Sequence, residues 1–511
     1  MKKLPIGISD FRELIEGNYV YVDKTRYIYE LLSSSKYIFL SRPRRFGKSL
    51  LLSTIEYLYE GKRELYKGLY IEDKWDWSEK YPVIRVNFAI DIKTSGEIYE
   101  VIKNEVRLNY KRMEIEKEKE ENHVGLMLQN LIIEVSERYN KQVVVLIDEY
   151  DKPILDVIED RKHAEEIRKT LKSFYSVLKA LDKYLRFVLV TGVSKFAKVS
   201  LFSGLNQLKD ISLDKRYGDI CGYTQEELEN YFKEYLDNVN IEEVKEWYNG
   251  YNFLGSKVYN PFDVLLYLDK KEIRSYWYET GTPSFLIKLI KQKEYNIVEL
   301  EGIKADESLL NKFDVEEIEI EAIMFQSGYL TIKDYKVSEN GILFELGFPN
   351  KEVRVSFNRD ILYNLVKQKS KVNVIAEKII EILKTEKIEE LKEQIEILIS
   401  AISYMYLKEE YSYVIAVYSM LYTTGLNVII EDNTSKGRID MSVIVDKKLV
   451  YIIEFKVLES KREKGRALKQ IKEKEYFKKY LNYEKIYLLG VEFDKNNKGL
   501  ANFEYELINR D

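Results

Sequence analysis

Two groups of residues in this chain have the types and spacing to act on phosphate. The first closes the string RPRRFGKS, which supplies Gly47, Lys48 and Ser49. A loop of this kind between a strand and a helix turns backbone N–H groups toward an anion, at the end of the helix where the dipole favours negative charge. Lysine adds a point charge on the β- and γ-phosphates, and the serine hydroxyl binds Mg2+. Arg42 stands where such loops usually carry their first glycine, and Arg44 and Arg45 are open to two readings, as γ-phosphate contacts or as residues that shape the loop. About a hundred residues later the apolar run KQVVVLIDEY ends in Asp148 and Glu149. Asp148 suits the Mg2+ water shell and Glu149 suits orientation of an attacking water. A third run, LRFVLVTGVS, carries Thr191 and Ser194, polar groups expected beside the γ-phosphate. ATP and Mg2+ are the cofactors this set implies, with Gly47, Lys48, Ser49, Asp148 and Thr191 binding, Ser49 and Asp148 on the metal, and Glu149 catalytic.

The second group lies near the other end. Asp440 precedes the run MSVIV, Glu454 lies in YIIEFKV, and Lys456 follows two positions on. Alternation along a strand puts Glu454 and Lys456 on one face. If the strand after Asp440 pairs with theirs, two carboxylates and an ammonium converge. Oxygen ligands of this kind hold Mg2+ (Asp440 and Glu454), while lysine positions water or stabilises a pentacovalent phosphate. Gln470, in the helix that follows, can point toward the same cluster. Residues 456–479 contain ten Lys or Arg against four Asp or Glu. Such a stretch suits a polyanionic substrate, although a solvated surface helix is the simpler reading of the lysines alone.

The elements that must position these groups alternate in the first third of the chain. KYIFLSR, PVIRVNFA, KQVVVLIDEY and LRFVLVTGVS read as strands separated by helical segments, which indicates a parallel sheet covered on both faces. KRMEIEKEKEEN (111–122) reads as a solvated helix face or surface excursion. From Cys221 the pattern turns helical: Thr224 and Glu227 have capping-box spacing, and Asn260–Pro261 and Thr282–Pro283 read as an N-cap followed by Pro. Residues 316–357 read as a helix (EIEAIMFQSG), a strand (YLTIK) and a hairpin (ILFELGFPNKEVRVSF), a pattern compatible with a winged helix. Beyond residue 360 helices dominate until GLNVIIEDNTSKGRIDMSVIVDKKLVYIIEFKV, whose three strands are followed by a helix (ALKQIKEKEYFKKYL) and another strand (KIYLLGVEF).

Bulk properties exclude several classes. A chain of 511 residues needs two to four domains. Lys and Arg number 81 against 86 Asp and Glu, which argues against indiscriminate coating of nucleic acid. A single cysteine, Cys221, rules out an internal disulfide and a multi-cysteine metal site. His123 and His163 are the only histidines, in polar surroundings, so a zinc site or a histidine-based nuclease is not expected. The 42 tyrosines are spread along the chain and read as fillers of half-buried positions, not as base-stacking platforms. No run of about 18 apolar residues is present and the start has no signal-peptide pattern, so no membrane partner is expected and a reducing cytoplasm fits.

Several strings resemble a prokaryotic family, the AAA-ATPase-like proteins with a C-terminal PD-(D/E)XK nuclease domain. They are GISDFRELIEGNYVYVDKT, SRPRRFGKSLL, VLIDEYDKPI, VTGVSKFAKVSLFSGLNQLKDISL, EWYNGYNF, VYNPFDVL, FQSGYLTI, GRIDM, YIIEFK and ALKQI. RPRRFGKS is itself the family's form of the phosphate loop. The resemblance implies an α/β architecture: an AAA-type P-loop domain over residues 1–220, a helical lid over 221–310, a winged-helix or connecting segment over 311–365, and a restriction-endonuclease-like α/β domain over 366–511. It also implies an acidic residue from a preceding helix, for which Glu409 and Glu410 both qualify, and an adenine-side role for Val22 to Thr25. The expected function is an ATPase that controls a Mg2+-dependent nuclease acting on nucleic acid, DNA before RNA. The alternative is a switch ATPase whose C-terminal domain binds nucleic acid without cutting. A DNA-binding regulator acting through residues 316–357 ranks last, because EIEIEAIMFQ is acidic. AAA-type modules often form rings, which leaves a homo-oligomer open.

Overall fold

Apolar β-branched runs between polar boundaries form the strands that position the first group. β1 (Tyr37–Ser41) and β3 (Val143–Asp148) are buried along their whole lengths. With β2 (Val83–Asn87), β4 (Leu185–Gly192) and β5 (Lys209–Asp210) they form one sheet in the order β2-β3-β4-β1-β5, every pair parallel. Parallel neighbours need crossovers, and the helices between the strands supply them. The computed structural model describes all residues except 117–120, 196–200, 203, 204, 206, 282–285, 288, 291, 292, 294, 296, 312–318, 340, 367, 403–411, 435, 460–462, 496–498, 510 and 511. The chain divides into two compact units, residues 1–286 with 302–350, and residues 287–301 with 351–511.

In the first unit β2 is an edge strand, and a helix covers its open side. Asn109, on the helix Glu97–Arg112, accepts from Arg85 N at 3.0 Å and donates to Arg85 O at 2.7 Å. Glu105 accepts from Asn87 N at 2.9 Å, and Arg112 donates to Val83 O. Side chains thus take the place of a neighbouring strand. The charge-dense stretch begins at the end of this helix, and residues 117–120 of it lie outside the described residues.

Residues expected to be wholly helical contain a small antiparallel sheet. β6 (Tyr223–Thr224), β7 (Asn249–Asn252) and β8 (Lys257–Tyr259) pair in the order β6-β8-β7. The strands are too short to show a period, and Gly250, at φ 128°, turns the backbone where no helix could continue. The capping box of Thr224 and Glu227 forms in full, and Asn260 caps a helix that opens with Pro261. Thr282 and Pro283 lie outside the described residues.

β9 (Ile303–Asp306), β10 (Thr331–Ser338) and β11 (Gly341–Gly347) form a second antiparallel sheet against the helix Glu307–Asn311, and the helix Ile320–Ser327 precedes β10 in the chain. The sequence expectation fails for the end of ILFELGFPNKEVRVSF: the hairpin joins β10 to β11, and Lys351–Leu365 is a helix. The short alternation in EVRVSF conceals a longer helical spacing, in which Val353, Phe357 and Ile361 are buried.

The second unit holds a five-stranded mixed sheet: β12 (Asn427–Thr434), β13 (Gly437–Val445), β14 (Leu449–Leu458), β15 (Lys485–Asp494) and β16 (Gly499–Asn509), in chain order. All pairs are antiparallel except β14 with β15. That one parallel step requires a crossover, and it contains the helix Arg466–Glu473, called the site helix below. Ile471, Tyr476 and Tyr480 seat the crossover on Ile452, Ile486 and Leu488. β16 was not expected from the sequence. It is a last edge strand in which no described residue is fully buried, and Glu504, Tyr505 and Glu506 are all exposed.

Candidate functional site

The nucleotide loop connects β1 to the helix Lys48–Tyr59. Gly47 precedes that helix at φ 91°, a left-handed backbone that side-chain-bearing residues rarely adopt, and no side chain caps the helix there. Lys48 Nζ donates to the carbonyl oxygens of Arg42 at 2.9 Å and Pro43 at 3.0 Å. Burial lowers the pKa of this lysine, opposed by the charges of Asp148 and Glu149. A buried ammonium held by carbonyls beside an uncapped helix start fits a polyphosphate.

Arg42, in place of the usual glycine, is buried. Its guanidinium donates to Ser41 O at 2.9 Å, Ser212 O at 2.8 Å and Tyr217 O at 3.0 Å, and lies 4.1 Å from the centre of the Phe253 ring. Burial pushes its pKa down to about 10, which leaves it charged at neutral pH. Arg42 therefore ties the loop to residues 212–217 and to the hairpin of β7 and β8. Arg44 and Arg45 are exposed at the mouth of the cleft, and Arg45 lies over Phe262 at 4.9 Å.

β4 lies between the strands that carry the loop and the acidic pair, and it bridges them. Ser49 Oγ donates to Asp148 Oδ2 at 2.6 Å, and Thr191 Oγ1 donates to Asp148 Oδ1 at 2.8 Å. Thr191 thus acts on Asp148. Ser194, expected beside the γ-phosphate, instead donates to Asp151 through its backbone N and its hydroxyl, both at 2.6 Å. Glu149 sits at φ 52°, and burial first, then the Asp148 charge, raises its pKa.

A cleft of about 460 Å³ runs from Gly47, Lys48 and Ser49 to Gly7–Ser9, Val20–Val22, Cys221–Tyr223 and Phe262. Its far end is largely apolar, as a base requires. Of the segment Val22 to Thr25, Val22 and Lys24 line the cleft, while Thr25 Oγ1 donates to Asp23 at 2.6 Å. Lys24 Nζ bonds the Glu227 carboxylate at 2.6 and 2.7 Å and Asp219 O at 2.8 Å, pinning the capped helix to the cleft wall. No sequence motif pointed to this pair.

In the second unit Asp440 and Glu454 each lie one residue beyond the Met441–Ile453 pair of β13 and β14. Asp440 Oδ2 accepts from Phe455 N at 2.8 Å. Lys456 Nζ donates to Glu454 Oε1 at 3.0 Å, and Gln470 Nε2, from the site helix, donates to the same oxygen. Glu454 Oε2 is buried without a hydrogen-bond partner. Burial, then the Asp440 charge, pushes the Glu454 carboxyl up to about 7. The four residues expected from sequence therefore meet. A buried carboxylate oxygen without a donor, next to a second carboxylate, fits a divalent cation.

Sequence reading missed Tyr476, a buried phenol in hydrogen-bond contact with Gln470. Glu409 and Glu410 lie outside the described residues, and among the described residues no group of three His, Cys, Asp or Glu converges. The basic stretch is extensively paired: Arg466 with Glu463, Lys469 with Glu473, Lys472 with Glu506, Lys478 with Glu475, and Lys479 with Asp432.

A P-loop sheet with an acidic strand end and a mixed sheet carrying Asp, Glu, Lys and Gln define a nucleotide-binding unit joined to a nuclease-like unit. Residues 5–202 match the family described as "Predicted AAA-ATPase", and residues 408–502 match the PD-(D/E)XK nuclease superfamily. A protein of Azotobacter chroococcum mcd 1, described as "Uncharacterized protein in vnfD 5'region", is 40% identical over 516 residues, covering 99% of this chain and 99% of that protein. The chain belongs to this family of AAA-ATPase-like proteins with a C-terminal PD-(D/E)XK nuclease domain. No described helix is long and apolar enough to cross a membrane.

Proposed function

We propose that this protein binds and hydrolyses ATP at the Lys48 site, and that nucleotide there controls Mg2+-dependent phosphodiester cleavage at the Glu454 site. Nucleic acid, DNA before RNA, is the substrate. The observation that carries the reading is the Glu454 carboxylate: one oxygen is held by Lys456 and Gln470, and the other is buried without a donor beside Asp440. Joint action of the two units is supported by the Azotobacter relative, which aligns across both in one chain. A reducing cytoplasm suits a chain whose single cysteine is free and buried.

The chain's own residues divide the work. Lys48 exchanges its carbonyl partners for phosphate oxygens, and the uncapped first turn of its helix offers N–H groups to the same anion. Ser49 and Asp148 would hold Mg2+ at this site, as Asp440 and Glu454 would at the other. Bound Mg2+ supplies Lewis-acid polarisation of a phosphoryl oxygen and a more acidic water. Glu149, whose carboxylate burial makes more basic, is placed to orient the attacking water. Lys456 offsets the charge that grows on a pentacovalent phosphate, and Gln470 fixes the carboxylate's orientation.

A second reading is a switch ATPase whose C-terminal unit binds nucleic acid without cutting. It is favoured by the thin ligand set among the described residues and by the paired basic side chains. Asp440→Ala separates the two. Wild-type cleavage that is lost in Asp440→Ala with ATP turnover unchanged supports the nuclease, whereas nucleic-acid binding without cleavage by the wild type supports the switch.

A further inference from the structure

The site helix reaches Glu454 through one side chain, Gln470, and two residues of β15 determine where that helix sits. Glu492 is only 1% exposed, although it is a carboxylate. Its Oε2 accepts from Gly465 N at 2.8 Å and Asn502 Nδ2 at 3.0 Å, and its Oε1 accepts from Ala467 N at 2.9 Å. The helix has no cap of its own, because Gly465 precedes it at φ 86° with no side chain to offer. The cap comes instead from the neighbouring strand, as a charge that the helix dipole favours.

Two residues earlier, Gly490 lets the helix lie directly on the sheet. A Cβ there would stand 2.6 Å from Leu468 N and 3.2 Å from Leu468 Cα, both backbone atoms. The register places these residues beside the site itself, with Gly490 opposite Glu454 and Glu492 opposite Lys456. Ala467, Leu468 and Gln470 fall within one helical turn. A shift where the helix touches Gly490 or Glu492 is therefore carried to the Gln470 amide.

We propose that Gly490 and Glu492 are positioning residues for the Glu454 site: they fix how Gln470 meets the carboxylate and so tune its hold on a divalent cation. The inference rests on the reading of Glu454 as a metal ligand. Replacing Glu492 by Gln turns one acceptor into a donor that faces the helix N–H groups. Adding a methyl at Gly490 lifts the helix from β15. Both changes loosen the contact between Gln470 and Glu454 Oε1, and with it the orientation of Oε2.

The test is a Mn2+ titration of the nucleotide-free full-length protein, read by electron paramagnetic resonance, with Glu454→Ala defining the background. Gly490→Ala and Glu492→Gln are each measured alone and combined with Gln470→Ala, with thermal unfolding recorded beside. Each single change is expected to weaken the Glu454-dependent Mn2+ affinity by about 10-fold. In the Gln470→Ala background the same change is expected to add less than about 2-fold, because its effect passes through that side chain. A purely structural role moves both backgrounds equally. Equal losses in both backgrounds, or no loss in the single variants, would overturn the proposal. Should Gly490→Ala fail to fold, Glu492→Gln carries the test. DNA cleavage measured on the same set separates this inference from the function it rests on. Absent cleavage with the coupled Mn2+ losses intact sinks cleavage alone, and cleavage with uncoupled losses sinks the positioning role alone. Absence of any Glu454-dependent Mn2+ signal sinks both.

Discussion

Glu454 concentrates the electrostatic conflict of the C-terminal unit. Its carboxyl is buried next to Asp440, and both conditions favour the protonated form, at about 7. The folded state therefore binds this proton more tightly than the unfolded chain does. The stability it contributes is fully present below the ordinary glutamate range and is lost as pH rises through about 7. Glu454→Gln should make the metal-free protein more stable than the wild type at pH 8, by on the order of 2 kcal/mol, with the gap closing by pH 5. Thermal unfolding at the two pH values checks this, and an equal gap at both contradicts it. At the other site Gly47 has open space around the position a Cβ would take, but its φ of 91° strains any side chain. Gly47→Ala should cost about 1–2 kcal/mol and weaken ATP binding by at least about tenfold, measured by titration with a fluorescent ATP analogue. The spacing of Asp440, Glu454 and Lys456 was legible in the sequence because adjacent strands bring them together. Tyr476, Gly490 and Glu492 were not, since their roles exist only after the crossover folds over β15.

Among the elements, β2 is the most exposed to failure, because a parallel sheet tolerates an open edge poorly. Asn109 satisfies both the N–H and the C=O of Arg85 there. Asn109→Leu keeps the bulk and removes both bonds, so it should destabilise the first unit by about 2 kcal/mol. ATP affinity should remain near the wild-type value, because the change lies on the sheet edge and outside the nucleotide cleft. Urea unfolding and light scattering check the two parts, with aggregation expected before full unfolding. β1, β3 and the core of β4 were readable from sequence because strands buried on both faces appear as unbroken apolar runs, and β2 because Val83, Ile84 and Val86 flank a single arginine. EVRVSF misled because a helix with Val353, Phe357 and Ile361 inward also shows local alternation. β6 to β8 are two to four residues long, too short to carry a period, and β16 is an edge strand without the buried apolar run that marks the others.

At the scale of the whole molecule the chain joins an AAA-ATPase-like domain and a PD-(D/E)XK nuclease domain, one in each compact unit. Family membership establishes that both modules belong together, and the geometry of each brings a lysine, acidic side chains and a hydroxyl or amide bonded to them into one cluster. The central claim is that ATP at Lys48 governs cleavage at Glu454. The measurement that tests it most directly is cleavage of plasmid and single-stranded DNA with Mg2+ or Mn2+, with and without ATP. Wild type is compared with Lys48→Ala and Glu454→Ala. Cleavage absent in Glu454→Ala, and altered by ATP in the wild type but not in Lys48→Ala, is the predicted result. No cleavage under any condition while ATP is still hydrolysed, or cleavage indifferent to ATP in every variant, would contradict it.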